Sequence, residues 1–264
     1  MRLILFAGCL CLAALAAPAQ VHAQGFAALV SPPRFELASE PGKSLRGAFE
    51  ISNRSTAPAK FHVRTADWSL GQDFSVSFQE ELQPGSCRPW VAIERPEVVV
   101  PGAGSVRYRF QVEVPAAAPP GECRFAIMVE GAEPSVARGP GLDVPVTGRI
   151  GVIVYVTVGA AGPELEVFGP EIATLNGQKV PTLKVHNAGN AHGRMGGFLT
   201  GKDANGVSYD FTPSDFPILP GEVREVFLSP SSTLEDHPTL TFPVTVKGTL
   251  EWGQRKTELH QTFE

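Results

Sequence analysis

His186 and His192 are the nearest this chain comes to a reactive or metal-binding set. They flank Asn187-Ala188-Gly189-Asn190 between two strand-like runs. Two imidazoles could share a zinc ion if a cysteine or carboxylate cluster stood beside them in the sequence. None does, so the expectation is a polar turn in which one histidine ties down backbone carbonyls. The carboxylates Glu80-Glu81 and Glu235-Asp236 sit beside turn residues and read as solvated loop charges. No G-x-S-x-G elbow, H-E-x-x-H pair, P-loop or G-x-G-x-x-G following a strand occurs. Catalytic residues, a metal and a cofactor are therefore not expected. Trp68, Trp90 and Trp252 could stack a ligand, but tryptophans at strand positions of sandwiches are expected in the core.

The remaining reactive groups are thiols, and their meaning depends on compartment. Arg2 precedes an almost unbroken apolar run from Leu3 to Ala17, and Val21-His22-Ala23 has the small-residue pattern of a cleavage site. Residues 1–23 are expected to be a secretory signal peptide. The run of about 15 apolar residues is short of the roughly 20 that a helix needs to span a bilayer, and no later stretch is longer, so no integral membrane segment is expected in the mature protein. Export removes Cys9 and Cys11 and leaves Cys87 and Cys123, which are expected to pair in an oxidising compartment. The formal charge of the whole chain is −5. An acidic chain with scattered Lys and Arg carries no electrostatic footprint for nucleic acid.

Strand-period alternation dominates the elements that must position these groups. In Val106 to Val114 the apolar residues fall on one face and Arg107, Arg109, Gln111 and Glu113 on the other. Similar runs cover Arg46–Ser52, Ala59–Thr65, Phe74–Phe78, Arg124–Glu130 and Asp143–Val158. A second series follows at 164–168, 182–186, 197–202, 207–211, 222–228, 241–250 and 256–263. Asn205-Gly206 is the strongest hairpin signal. Short strands separated by Pro and Gly turns, over a length suited to two domains, predict an all-β protein of two immunoglobulin-like β-sandwich domains. The expected boundaries are 24–158 for the N-terminal domain, 159–163 for a linker and 164–264 for the C-terminal domain.

One run has two readings. Arg149 to Val158 places Ile150, Val152, Val154, Val156 and Val158 on one face and Ile153 and Tyr155 on the other. A central strand packed on both faces predicts this composition. So does an edge strand that offers its main chain and alternate side chains to a partner.

The chain resembles the periplasmic pilus-assembly chaperones, the PapD-like family. The resemblance rests on Ser31-Pro32-Pro33-Arg34-Phe35-Glu36-Leu37 with Pro41-Gly42, and on Ile51-Ser52-Asn53-Arg54-Ser55. Pro89-Trp90-Val91, Val98 to Gly102 and Val106 to Val114 follow in the family's order, then Asn187 to His192 and Leu219-Pro220-Gly221 in the second half. It implies a periplasmic protein whose two sandwiches meet at an angle. A basic pair in the cleft would hold a subunit's C-terminal carboxylate, and the first domain's last strand would complete the subunit's sandwich. Carried over, Arg34 and Arg149 are the candidate anchors, and Ile150, Val152, Val154 and Val156 the candidate donors. The segment from Gly131 to Leu142 would be a mobile loop leading into the strand. The implied partners are secreted β-rich surface subunits and an outer-membrane usher. Where the family's last strand carries a lysine and ends in a Tyr-Arg-Pro-like sequence, this chain has Val154-Tyr155-Val156-Thr157. The rival reading is a non-catalytic cell-envelope binding or adhesion module. A hydrolase is a third class, disfavoured by the missing groups.

Overall fold

Proline residues decide where the chain changes sheets. In a computed structural model, which describes residues 26–139, 142–231 and 238–264, the first strand β1 (Ala28–Ser31) pairs with β3 (Ser44–Asn53). Pro32 and Pro33 have no N–H to continue that ladder. The chain crosses, and β2 (Arg34–Ser39) joins the opposite sheet. The expected signal peptide and Glu235, Asp236 and His237 lie outside the described residues.

The remaining strands of the first half are β4 (Ala59–Leu70), β5 (Val76–Gln79), β6 (Val91–Ile93), β7 (Glu97–Val100), β8 (Ser105–Glu113), β9 (Gly121–Gly131), β10 (Ser135–Gly139), β11 (Leu142–Val146) and β12 (Arg149–Val158). One sheet runs β1-β3-β8-β6 and the other β2-β12-β9-β4, with β5 and β7 on the outer edge of β4. The alternation expected for Val106 to Val114 holds. Tyr108, Phe110 and Val112 point inward and meet Phe125, Ile127 and Val129 of β9. Burying one such side chain contributes about 1.5–3 kcal/mol.

The run expected as one strand over Asp143–Val158 is two, β11 and β12, broken at Thr147-Gly148. Phe26 packs against Gly148 so closely that a Cβ there would lie 2.0 Å from the ring. The segment expected as a loop, Gly131–Leu142, contains β10, which pairs with β11 as a two-stranded hairpin.

The second half contains β13 (Leu165–Leu175), β14 (Gln178–Asn187), β15 (Gly196–Lys202), β16 (Ser208–Pro213), β17 (Val223–Ser231), β18 (Val244–Trp252) and β19 (Arg255–Phe263). They form one path, β13-β14-β17-β16-β15-β18-β19. Val223–Phe227 of β17 pairs with β14, and Leu228–Ser231 with β16. The path therefore closes over a second core of Leu183, Val185, Leu199, Phe211, Val226, Leu228, Val246 and Leu250. The hairpin at Asn205-Gly206 joins β15 to β16, with Gly206 at φ 79°. Trp68 and Trp252 are buried, and Trp90 packs against the first core.

A buried asparagine organises the same corner of each sandwich. Asn53 Nδ2 donates to the carbonyls of Ala57, Val100 and Pro101. Asn187 Nδ2 donates to those of Ala191 and Ile218. In both, a side-chain amide satisfies carbonyls in the loops and strand ends around it. Asn187 Oδ1 also accepts from the N–H of Glu164, and Asn190 Oδ1 from that of Gly162, so the second domain's corner pins the chain between the sandwiches.

Cys87 and Cys123 form a disulfide with Cα atoms 5.7 Å apart, tying the loop before β6 to β9. They are 36 residues apart. A loop of that length is worth roughly 4 kcal/mol of unfolded-state entropy. Urea unfolding of Cys87→Ala/Cys123→Ala is expected to show a loss of about that size. An unchanged midpoint would mean that the cross-link contributes nothing to stability.

Candidate functional site

Alternation along β12 assigns its side chains to two different places. Val152, Val154, Val156 and Val158 enter the first core, with Ile150 packed against it. Arg149, Gly151, Ile153, Tyr155 and Thr157 lie on the outer face by strand parity. That face turns toward the second domain. Tyr155, 2% exposed, clusters with Ala66, Trp68, Ala126 and Met128 of its own sheet and with Leu219 of the C-terminal half. Tyr155 meets Trp68 edge-on at 5.5 Å between ring centroids. Burial is the main cause that pushes the Tyr155 phenol up to about 12, with Arg194 the largest opposing charge.

Cross-strand register then sets the charges around Tyr155. Ile153 lies opposite Arg34 on β2 and Ala126 on β9, and Tyr155 opposite Glu36 and Arg124. Arg34 Nε is 3.2 Å from Glu36 Oε1, and its side chain stays 44% exposed. Arg124 lies over the Trp68 ring at 5.3 Å. From the other sandwich, Arg194 Nε comes within 3.8 Å of the same Glu36 oxygen. Arg34 and Arg194 thus share Glu36 on the strand beside Tyr155, with Arg124 opposite Tyr155 on the other neighbouring strand; guanidinium groups can hold a carboxylate by charge-assisted hydrogen bonds.

The structure places the two anchors expected from sequence apart. Arg149 is registered with Glu130 and lies 6.0 Å from the Phe78 ring centroid. It stands four residues before Ile153, about 13 Å along a strand. Arg34 instead has Arg124 and Arg194 for neighbours. Nothing in sequence marked these two, since Arg124 sits inside an ordinary strand run and Arg194 comes from another domain. Arg64, on the same face as Arg149, is occupied by Glu130 at 2.9 Å and Glu80 at 2.8 Å.

β12 combines both strand readings. Ile153–Val158 lies between β9 and β2, whereas Arg149–Val152 has β9 alone among the described residues. Ile153 donates its N–H to Pro33 O at 3.0 Å. Residues two apart point their main-chain groups the same way, so those of Arg149 and Gly151 face the side that β2 leaves open. Among the described residues β11 likewise pairs with β10 alone. The open edge therefore runs on from β12 into the hairpin arm.

Further contacts hold the domains in register. Arg224, its side chain 1% exposed, donates to the carbonyls of Leu70 and Gly71 at 2.9 and 2.8 Å and pairs with Glu222 at 2.8 Å. Phe74 stacks on Phe216 at 4.1 Å. His192, one of the two histidines flanking the expected polar turn, reaches across to Glu122 at 2.6 Å and stacks on Tyr155 at 3.8 Å. Among the described residues no cluster of three His, Cys, Asp or Glu could hold a metal ion, and no helix is long and apolar enough to cross a membrane.

The described residues form two β-sandwich domains. The chain is similar to a chain of the chaperone–tip adhesin complex of CFA/I fimbriae biogenesis, at 13% identity over 89% of this chain and 98% of that one, with a TM-score of 0.48. It is similar to the class 5 fimbriae chaperone CfaA, at 14% over 90% and 99%, TM-score 0.47. A chain of the Salmonella enterica SafA pilin–SafB chaperone complex matches at 14% over 90% and 97%, TM-score 0.47. These are distant likenesses of shape, and nothing about this chain's partners follows from them. No family model and no curated protein matches the chain.

With a folded-state value of about 12 against the ordinary 10, the neutral Tyr155 phenol stabilises the fold. That contribution is fully present below pH 10 and is lost as pH rises toward 12. Absorbance titration at 295 nm is expected to show a late-ionising tyrosine that disappears in Tyr155→Phe. Full ionisation of all tyrosines near pH 10 in the folded protein would contradict this environment.

Proposed function

We propose that this protein is a non-catalytic periplasmic chaperone for secreted pilus- or fimbria-like subunits, which it caps by β-strand donation. The observation that carries this reading is the open main-chain edge of Arg149–Val152, continued by β11, beside the cleft that holds Arg34, Arg124 and Arg194. A subunit with an incomplete sandwich exposes an edge strand and part of its core, both prone to aggregate. Pairing along an added strand satisfies the subunit's N–H and C=O groups, and a guanidinium cluster at one end fixes the register by holding a terminal carboxylate. Export to the periplasm, through the expected signal peptide at residues 1–23, puts the chaperone where such subunits emerge. An outer-membrane usher is the acceptor that this role calls for.

One observation favours a rival reading, a cell-envelope binding module. Val152, Val154 and Val156 are fully buried in the domain's own core, and Ile150 packs against it. The candidate donors are thus committed inside the chaperone itself. Under strand donation, the open part of β12 must act through its main chain and its outer face, with β11 extending the contact.

Two substitutions separate the readings without entering the core. Arg149→Pro removes an N–H that points away from β9, and Arg34→Ala removes a half-exposed guanidinium. Co-purification from periplasmic extracts is expected to yield one small β-rich secreted subunit in near-equimolar amount with the native protein. Each variant is expected to retain at most a tenth of it while keeping the native circular dichroism. Equal recovery by all three would sink strand donation and leave the binding module.

A further inference from the structure

Among the described residues the last strand, β19, is paired on one side only, antiparallel to β18. In the first sandwich the place beside the last strand is filled. There β2 leaves the β1 ladder after Pro32-Pro33 and pairs in parallel with β12. In the second sandwich β13 runs beside β19 in the same direction, and Glu164 bonds to Arg255 at 3.1 Å where they start. Yet β13 stays on β14 as far as Leu175, even across the bulge between Phe168 and Pro170. Two clefts of about 270 and 450 Å³ are left between the strands, the first beside Val167 and Leu259, the second beside Ile172 and Phe263. Buried Leu183 and Leu250 line the first cleft, together with Phe168, which is 47% exposed.

Turn geometry assigns the free main-chain groups of β19. Gly253-Gln254 is a two-residue hairpin loop, with Gly253 at φ 57°. The residues flanking such a loop exchange both main-chain bonds, and bonded pairs then alternate with unbonded ones along the ladder. Arg255, Thr257, Leu259, Gln261 and Phe263 are therefore bonded to β18. The N–H and C=O groups of Lys256, Glu258, His260 and Thr262 point into the seam, and their side chains are exposed. The Thr262 carbonyl accepts from the Gln261 side-chain amide at 2.9 Å, as befits a group that β18 does not reach. An edge of this kind is a template for another strand.

These free groups are symmetric about Leu259. Laid antiparallel on its own copy with Leu259 at the centre, β19 overlaps along its whole length, and every seam-facing residue meets another. Lys256 stands opposite Thr262 of the partner subunit, and Glu258 opposite His260 of the partner subunit. Each Glu258–His260 pair sets a carboxylate against an imidazole N–H. Slipping by one step to centre on Glu258 would oppose that carboxylate to its own copy, so charge selects the full overlap. On the inner face Leu259 meets Leu259 of the partner subunit beside the apolar cleft. We propose that the β19 edge binds a second copy of this chain, in an isologous antiparallel pair centred on Leu259. The pairing does not rest on the chaperone reading, since the open edge of Arg149–Val152 belongs to the other sandwich.

Sedimentation equilibrium from micromolar to millimolar concentration is expected to show monomer and dimer in exchange. His260→Glu, at an exposed position, sets like charges opposite each other twice and is expected to weaken association about tenfold. Combining it with Glu258→Lys restores opposite charges in the same register and is expected to return the native strength. Amide exchange at Lys256, Glu258, His260 and Thr262 is expected to slow together as concentration rises. A protein that stays monomeric throughout overturns the proposal. So does a dimer that His260→Glu leaves unchanged or that the double exchange fails to restore. A dimer abolished by Arg149→Pro overturns it as well, by placing self-association on β12.

Discussion

The apolar side chains of β12 are already engaged within the protein, and the rest of the architecture follows from that. Alternate residues must point to opposite faces of a strand. One set, the valines from Val152 to Val158, completes the first core. The other set, centred on Tyr155, forms the floor on which the second sandwich rests. The open edge of this strand is its main chain between Arg149 and Val152, because β2 begins opposite Ile153 and reaches no further back. Where β2 begins is set by Pro32-Pro33, which end the β1 ladder and pass the chain to the other sheet.

The cleft is a product of two domains rather than of a motif. Glu36 and Arg34 come from β2, Arg124 from β9 and Arg194 from the C-terminal half, and they converge because Leu219 and His192 pack on the Tyr155 face. Arg224 and the Phe74–Phe216 stack hold the far end of the same interface. Arg224 in particular donates to the carbonyls of Leu70 and Gly71, and its own guanidinium, 1% exposed, would be costly to leave buried without those partners. The angle between the sandwiches is thus set by polar contacts at both ends and an apolar floor between them.

Much of the fold was legible from residue order. Period-two alternation identified β8, β9 and most of β12. Asn205-Gly206 marked its hairpin, and the spacing of Pro-Gly turns indicated sandwiches. The misread parts have specific causes. Asp143 to Val158 reads as one strand because composition does not register the break at Thr147-Gly148, which depends on Phe26 packing from a distant part of the chain. β10 lies in a Pro- and Gly-rich stretch that reads as loop, and its pairing with β11 is not visible in its own composition.

The candidate site divides along the same line. By itself, the sequence determined that the protein is all-β, that Cys87 and Cys123 are the two cysteines beyond the apolar N-terminal run, that Arg34 lies on an early strand, and that Arg149 to Val158 is apolar on both faces. These are local properties, carried by residue type and alternation. Only the tertiary structure decided which face of β12 is core, where its edge is open, that Arg124 and Arg194 rather than Arg149 stand beside Arg34, and that His192 spans the domains. Each of those depends on residues far apart in sequence meeting through sheet register and domain docking, and one strand's composition is compatible with either outcome.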